Sequence, residues 1–178
     1  ITKNIVDLMG GTIAVQSAKD VGTEFTISLT LRKATAHVEQ QETEPVDVTA
    51  LEGLKILLVE DNELNREIAV ELLHELGMSV ECAEDGSIAV DMMEHCEPGD
   101  YDLILMDIQM PIMNGYEATR RIREMDDADK AAIPIIALSA DAFEGDRRQS
   151  LAVGMNGHVA KPIELDKLIQ AIQRAVAR

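Results

Sequence analysis

Three apolar runs stand out along the chain: LKILLV (54–59), YDLILM (101–106) and IPIIAL (133–138). Near-continuous apolar runs of this length suit parallel strands covered on both faces. MSVECA (78–83) alternates instead, with Met78, Val80 and Cys82 on one side, and predicts a half-covered edge strand. GHVAK (157–161) predicts a short fifth strand. Helical periods fill the gaps. In NELNREIAVELLHELG, Leu64, Ile68, Leu72 and Leu76 recur every four residues as an apolar stripe. Asn62 is placed to cap its start and Gly77 to stop it. DGSIAVDMMEHC predicts a second helix. NGYEATRRIRE predicts a third, with Asn114 and Glu117 at capping-box spacing. AFEGDRRQSLAVG predicts a fourth, weakened by Gly145. ELDKLIQAIQRAV predicts a fifth, with Leu165, Leu168, Ile169, Ile172 and Val176 as its stripe. Five strands alternating with five helices predict an α/β fold, a doubly wound five-stranded parallel sheet with right-handed crossovers.

The first fifty residues break this rhythm. Residues 33–52 are polar and acidic, contain Pro45 and show little sustained period, which predicts a linker. Ahead of it lie a helix (ITKNIVDLMGG), a strand (TIAVQS), a turn (AKDVGT) and a second strand (EFTISLTL). The alternation of Phe25, Ile27, Leu29 and Leu31 predicts that this strand is half buried. A two-stranded hairpin is marginal alone. The segment is therefore expected to pack on the larger domain, pair with another chain, or be loosely ordered. The expected divisions are 1–32, the linker 33–52 and the main domain 53–178. The absence of an initiator Met suggests a piece of a longer protein.

Composition narrows the function. The net charge is −17, from 33 acidic and 16 basic residues, which argues against nucleic-acid binding driven by counterion release. Two basic clusters, Arg120, Arg121 and Arg123 and then Arg147 and Arg148, read as solvated helix faces. Cys82 and Cys96 fit neither a metal nor a redox spacing and read as reduced thiols of a cytoplasmic protein. No apolar stretch approaches the roughly 20 residues of a membrane span, and the start lacks the features of a signal peptide. His74, in the sequence HEL, reads as an exposed helix position, since the residues after it do not continue a phosphoacceptor pattern.

Candidate chemistry gathers at the strand ends. The first strand of the main domain ends in Glu60 and Asp61, the third in Asp107, the fourth in Ser139 and the fifth in Lys161. In a doubly wound sheet the carboxyl ends of the strands share one rim, where ligands bind. A lone buried carboxylate after a run such as Leu103 to Met106 would be costly. Three carboxylates on one rim repel one another, and a divalent cation with oxygen ligands and room for water, such as Mg²⁺, removes the repulsion. A carboxylate beside that cation can attack a phosphoryl group to give an aspartyl phosphate. The metal and the lysine then neutralise charge on the transferred oxygens, and the serine donates a hydrogen bond to them.

The segments LLVEDN, LILMDIQMPIMNGYEATRRIR, PIIALSA and GHVAKPI, in that order, resemble the signature segments of the response-regulator receiver domain of two-component signalling. The resemblance covers about residues 54 to 178 and implies a flavodoxin-like sheet of strand order 2-1-3-4-5. It implies Asp107 as phosphoacceptor, Asp61 as direct metal ligand and Glu60 as its partner. It further implies Gln109 as a ligand through its backbone carbonyl, Ser139 as switch hydroxyl and Lys161 as phosphate-pairing lysine. Mg²⁺ or Mn²⁺ is the implied cofactor, and Lys161–Pro162 is expected to be cis. His158 departs from the family, which often places Tyr or Phe there as an inward-turning switch; a switch role and an exposed strand-end histidine both stay open.

Residues 1–32 resemble the end of the GHKL-type ATP-binding domain of sensor histidine kinases, without its nucleotide-binding boxes, so this piece is not expected to bind ATP alone. Together the resemblances imply a hybrid sensor histidine kinase acting in a phosphorelay, with any membrane anchor upstream. The implied partners are the kinase phosphohistidine domain and a histidine phosphotransfer protein. A dimer through the amino-terminal remnant, or through the face of the fourth helix, fifth strand and fifth helix, is a further expectation. Two rivals are a degenerate receiver used only for docking and a phosphatase with an aspartyl nucleophile. The latter wants a second acid where Gln109 stands.

Overall fold

The computed structural model describes residues 2–8, 10–19, 22–30, 51–140 and 144–177. The chain divides into two units, Ile1–Thr43 and Glu44–Arg178, each taken here by itself. Most of the expected linker lies outside the described residues. Its last part does not behave as one, because Leu51 is fully buried in the core of the larger unit.

The first unit has a helix, α1 (Thr2–Leu8), and a hairpin of β1 (Thr12–Ala18) and β2 (Gly22–Ser28). The strands pair antiparallel from Thr12 opposite Ser28 to Ala18 opposite Gly22. The expected half-buried strand is not found. Phe25 is 67% exposed, and Val15, its cross-strand partner, is exposed beside it. A helix of seven residues offers too little surface to cover them, and Val6 is its buried contact among the described residues. Leu31 lies outside the described residues.

The larger unit contains β3 (Lys55–Val59), α2 (Glu63–Glu75), β4 (Ser79–Ala83), α3 (Gly86–His95), β5 (Leu103–Asp107), α4 (Gly115–Arg123), α5 (Ala128–Ala132), β6 (Ile135–Ser139), α6 (Glu144–Ala152), β7 (Gly157–Ala160) and α7 (Leu165–Val176). The sheet order is β4-β3-β5-β6-β7, every neighbouring pair parallel. Counted within this unit, that is the expected order 2-1-3-4-5. Strand parity sorts the core. Leu57, Val59, Ile104, Met106, Ile135 and Ala137 pack with α3 and α4 on one face. Ile56, Leu58, Leu103, Leu105, Ile136 and Leu138 pack with α2 and α7 on the other.

Three local expectations need correction. First, the leading half of the four-residue stripe of α2 turns away from the core, with Leu64 63% and Ile68 51% exposed, while Leu76 at its end packs against the core. A period of four outruns the 3.6-residue turn, so the row slants around the helix. Ala69 and Leu73 face the core instead. Second, α5 is an added short helix, started by Asp127, whose Oδ1 accepts from the backbone N–H of Asp129 and Lys130. Third, Arg123 is not a solvated helix residue. Its guanidinium donates to Gly154 O at 3.0 Å, Ala131 O at 2.7 Å and Asn156 Oδ1 at 3.0 Å. Its neighbours Arg120 and Arg121 are exposed as expected, and so is Arg148. No helix among the described residues is long and apolar enough to cross a membrane.

Candidate functional site

The strand ends meet as the topology requires. Val59 pairs with Met106, so the residues that follow them, Glu60 and Asp107, sit side by side at the rim. Carboxylate oxygens of Glu60, Asp61 and Asp107 all lie within 4.8 Å of one another. Glu60 is 2% and Asp107 5% exposed, whereas Asp61 faces solvent. Lys161 follows β7, two strands from β5, so its stem reaches over β6. Its Nζ lies 2.5 Å from Glu60 Oε2 and 2.7 Å from Asp107 Oδ2. The Lys161–Pro162 bond is cis.

The charges do not balance. Three carboxylates face one ammonium. Burial pushes the Asp107 carboxyl above its ordinary value, and Glu60 adds to the shift, while the hydrogen bond and charge of Lys161 oppose it. Burial alone would lower Lys161, but its bonds to Asp107 and Glu60 outweigh that and hold it raised. A rim with hard oxygen donors and an excess of negative charge fits a divalent cation such as Mg²⁺. Glu60, Asp61 and Asp107 are the side chains that could hold it.

Several residues set this geometry that were not singled out from the sequence. Glu60 is fixed at both oxygens, since Asn65 Nδ2 donates to its Oε1 at 2.8 Å. Arg66 Nη1 donates to the Glu60 carbonyl at 2.8 Å. Both sit in the first turns of α2, started by Asn62, whose Oδ1 accepts from Asn65 N–H. The spacing Asn62, Asn65, Arg66 directly after the acidic pair is the signal that could have found them. Asp107 is held from the other side, where Gln109 N–H donates to its Oδ1 at 3.2 Å. The Gln109 side chain is exposed.

The loop after Asp107 is tightly wound. Met113 N–H donates to Pro111 O at 2.6 Å, closing a three-residue turn around Ile112, whose φ is 63°. A β-branched residue there is strained, and Ile112 is nevertheless 85% exposed. Gly115 then brings α4 against the strand. A Cβ on it would lie 2.2 Å from Asp107 O and 2.9 Å from Met106 Cγ.

Ser139 ends β6 buried, its carbonyl accepting from Lys161 N–H at 2.7 Å. Its Oγ lies 3.0 Å from His158 Nε2. His158 is therefore half-buried and partnered, not an exposed strand-end residue. The remaining histidines stay apart: His74 is exposed on α2, His95 Nδ1 contacts Asp91 O, and His37 lies outside the described residues.

The response regulator receiver domain family matches residues 56–173. Among curated proteins, the chain is 44% identical over 133 residues to "Probable histidine kinase 2" of Oryza sativa subsp. indica, covering 68% of this chain and 13% of that protein. It is 39% identical over 170 residues to the autoinducer 2 sensor kinase/phosphatase LuxQ of Vibrio vulnificus, covering 94% of this chain and 19% of that protein. The chain thus spans less than a fifth of the length of each of these two relatives. Among solved structures, the receiver domain of a Pseudomonas aeruginosa sensor histidine kinase, with magnesium coordinated in its active site cleft, is 41% identical with a TM-score of 0.63. That match covers 71% of this chain and 99% of the other. A Saccharomyces cerevisiae response-regulator receiver domain, crystallised with its histidine phosphotransfer signalling protein, is 30% identical with a TM-score of 0.63, covering 71% of this chain and 90% of that one.

Proposed function

This chain belongs to the response regulator receiver domain family, and from that premise we propose that it accepts a phosphoryl group from a phosphohistidine on Asp107. The observation that carries the reading is the rim itself, where Glu60 and Asp61 lie against a carboxylate that Lys161 already contacts.

A carboxylate oxygen of Asp107 attacks phosphorus as the nitrogen–phosphorus bond of the donor breaks, and the imidazole leaves with the bonding pair. Lys161, on Asp107 Oδ2, neutralises charge on the transferred oxygens. Ser139 donates a hydrogen bond to the same group. Glu60 and Asp61, with Asp107 and the Gln109 carbonyl, would hold Mg²⁺ or Mn²⁺, which supplies further charge neutralisation when bound. Burial of Asp107 fixes its direction of attack, while exposed Asp61 keeps the rim open to solvent.

The donor has to bring its histidine to this rim. Leu64 and Ile68 on α2 and Ile112 in the strained turn expose apolar side chains on elements that adjoin the acidic cluster. They suit an apolar partner surface around a phosphohistidine, as on a phosphotransfer protein. We further place the chain in a hybrid histidine kinase, with residues 1–32 as the end of its ATP-binding domain, the residues from 33 to 50 as linker, and a receiver that begins at Leu51, whose side chain belongs to its core. The similarity to LuxQ supports this, because it covers 94% of the chain and so takes in most of the residues ahead of the receiver. The free thiols Cys82 and Cys96 support a cytoplasmic setting.

The test is transfer of labelled phosphate from a phosphorylated histidine phosphotransfer protein. Label should move to the chain with Mg²⁺, and not to Asp107→Asn. The pair Leu64→Asp and Ile68→Asp should slow transfer from the protein about tenfold and leave transfer from a small phosphodonor unchanged. No transfer under any condition would leave a docking module, and rapid release of free phosphate a phosphatase.

A further inference from the structure

We propose that Arg66 is a positioning residue for a divalent cation at the acidic rim. By donating to the Glu60 carbonyl it fixes the turn that presents Glu60 and Asp61, and so strengthens cation binding although it is itself a cation. The inference rests on the reading of Glu60, Asp61 and Asp107 as the metal-holding side chains, and adds a residue behind them.

The turn after β3 outlasts its neighbouring strand. Val59 pairs with Ala83, so Glu60 and Glu84 follow them side by side. Glu60 N–H still donates to Ala83 O at 3.1 Å, but β4 ends with Ala83. The Glu60 carbonyl takes its donor from α2 instead, Arg66 Nη1 at 2.8 Å. The same nitrogen lies 3.5 Å from the Asp61 carbonyl, and Nη2 lies 3.4 Å from Glu84 Oε1. One side chain thus spans the turn of the acidic pair and the loop that enters α3. That loop in turn meets the loop after Asp107, since Gly86 N–H donates to Met113 O at 3.2 Å.

These contacts differ in worth. The Glu84 side chain is 71% exposed and its bond is long, so solvent screens the ion pair and it adds little. Glu60 is buried, and the Arg66 side chain is only 17% exposed. A buried carbonyl left without a donor is costly, so without Arg66 the turn would move to find one. The two carboxylates would move with it. Asn65 fixes the Glu60 carboxylate, whereas Arg66 fixes the backbone beneath it.

Charge and position oppose each other here. A guanidinium near three carboxylates repels a second cation, so on charge alone its removal would tighten magnesium binding. Loss of the turn's geometry weakens binding, as for other residues that orient metal ligands. The sign of the change therefore separates a positioning residue from a bystander charge.

Calorimetry of the full chain with Mg²⁺ reads that sign. Arg66→Met keeps the stem and removes the donors, and affinity should fall about tenfold. Unchanged or tighter binding overturns the inference. Arg66→Gln, neutral and shorter, carries the same expectation should the Met variant not fold. Arg66→Lys keeps the charge and one donor, and should return to within about threefold of the parent. No recovery by Lys contradicts a role that rests on one donated bond. Glu84→Gln should change affinity by less than about twofold, and a loss as large as that of Arg66→Met would move the effect to the ion pair and contradict the role of the carbonyl. A metal-free arm follows amide hydrogen exchange in EDTA. Glu60 N–H should exchange about tenfold faster in Arg66→Met than in the parent, with the Leu105 amide unchanged as reference. An equal rate at Glu60 contradicts the hold. If the parent binds no Mg²⁺, the metal reading of the rim fails, and the exchange arm still decides whether Arg66 holds the turn.

Discussion

The ammonium of Lys161 stands 2.7 Å from Asp107 Oδ2 although 54 residues separate them in the chain. It also holds Glu60, so one cation serves two buried carboxylates. Lys161→Met removes that cation and leaves the carboxylates facing one another. Without metal, the variant should lose about 3 kcal/mol of stability, the scale for breaking a buried pair at one end. Magnesium should then bind the variant more tightly than the parent, because no ammonium competes for the same oxygens. Urea titrations in EDTA and in Mg²⁺ measure both effects, and a variant as stable as the parent in EDTA would speak against the lysine's part.

Asn65 touches the rim through Glu60 alone among its side-chain bonds, with Nδ2 on Oε1 at 2.8 Å. Asn65→Ala should leave the fold intact and free the Glu60 side chain to turn. Magnesium affinity by calorimetry should fall about tenfold, as for a lost partner of a metal ligand. Unchanged affinity would mean that Lys161 and packing suffice to hold Glu60.

Gly115→Ala should be among the most damaging substitutions near the site. The added carbon meets backbone, Asp107 O at 2.2 Å, which cannot swing aside as a side chain would. A loss of about 3 kcal/mol or more is expected, together with slower phosphorylation. Gly99→Ala is the control: its φ of 88° strains an alanine, but no atom lies within 4 Å of the new carbon, so about 1 kcal/mol is expected. Thermal unfolding of the two variants compares them, and equal losses would contradict the close contact.

Asp107 carries a pH signature in the absence of metal. Burial, helped by Glu60 and opposed by Lys161, raises its carboxyl in the folded chain. The folded state therefore holds that proton more tightly than the unfolded state. Its stabilising contribution is full below the unfolded value near 4 and is lost as pH rises through the higher folded value. At neutral pH the ionised group costs stability. Asp107→Asn should then be more stable than the parent at neutral pH, with the advantage shrinking as pH falls. Urea midpoints in EDTA across that range test the order, and an Asn variant less stable throughout would contradict it.

The sheet and its rim were legible because the signals were long or directional. Each apolar run ends on a polar residue, and parallel topology puts all such ends on one side, so Glu60, Asp107, Ser139 and Lys161 could be brought together from sequence. What stayed hidden depends on which way a side chain turns. Leu64 and Ile68 share a four-residue spacing with core residues yet face outward. Arg123 looks like its neighbours Arg120 and Arg121 in sequence, but its reach to Gly154 and Asn156 depends on a loop some thirty residues on. Asn65 shows its role only once the helix start is docked beside Glu60. His158 stayed open because sequence does not show a ring nitrogen meeting Ser139.

The most direct measurement is intact-mass spectrometry of the chain after incubation with acetyl phosphate, with peptide mapping of the product. A gain of one phosphoryl group that requires Mg²⁺, maps to Asp107 and is absent from Asp107→Asn is the predicted result. No gain in the parent, or an undiminished gain in Asp107→Asn, would contradict the account.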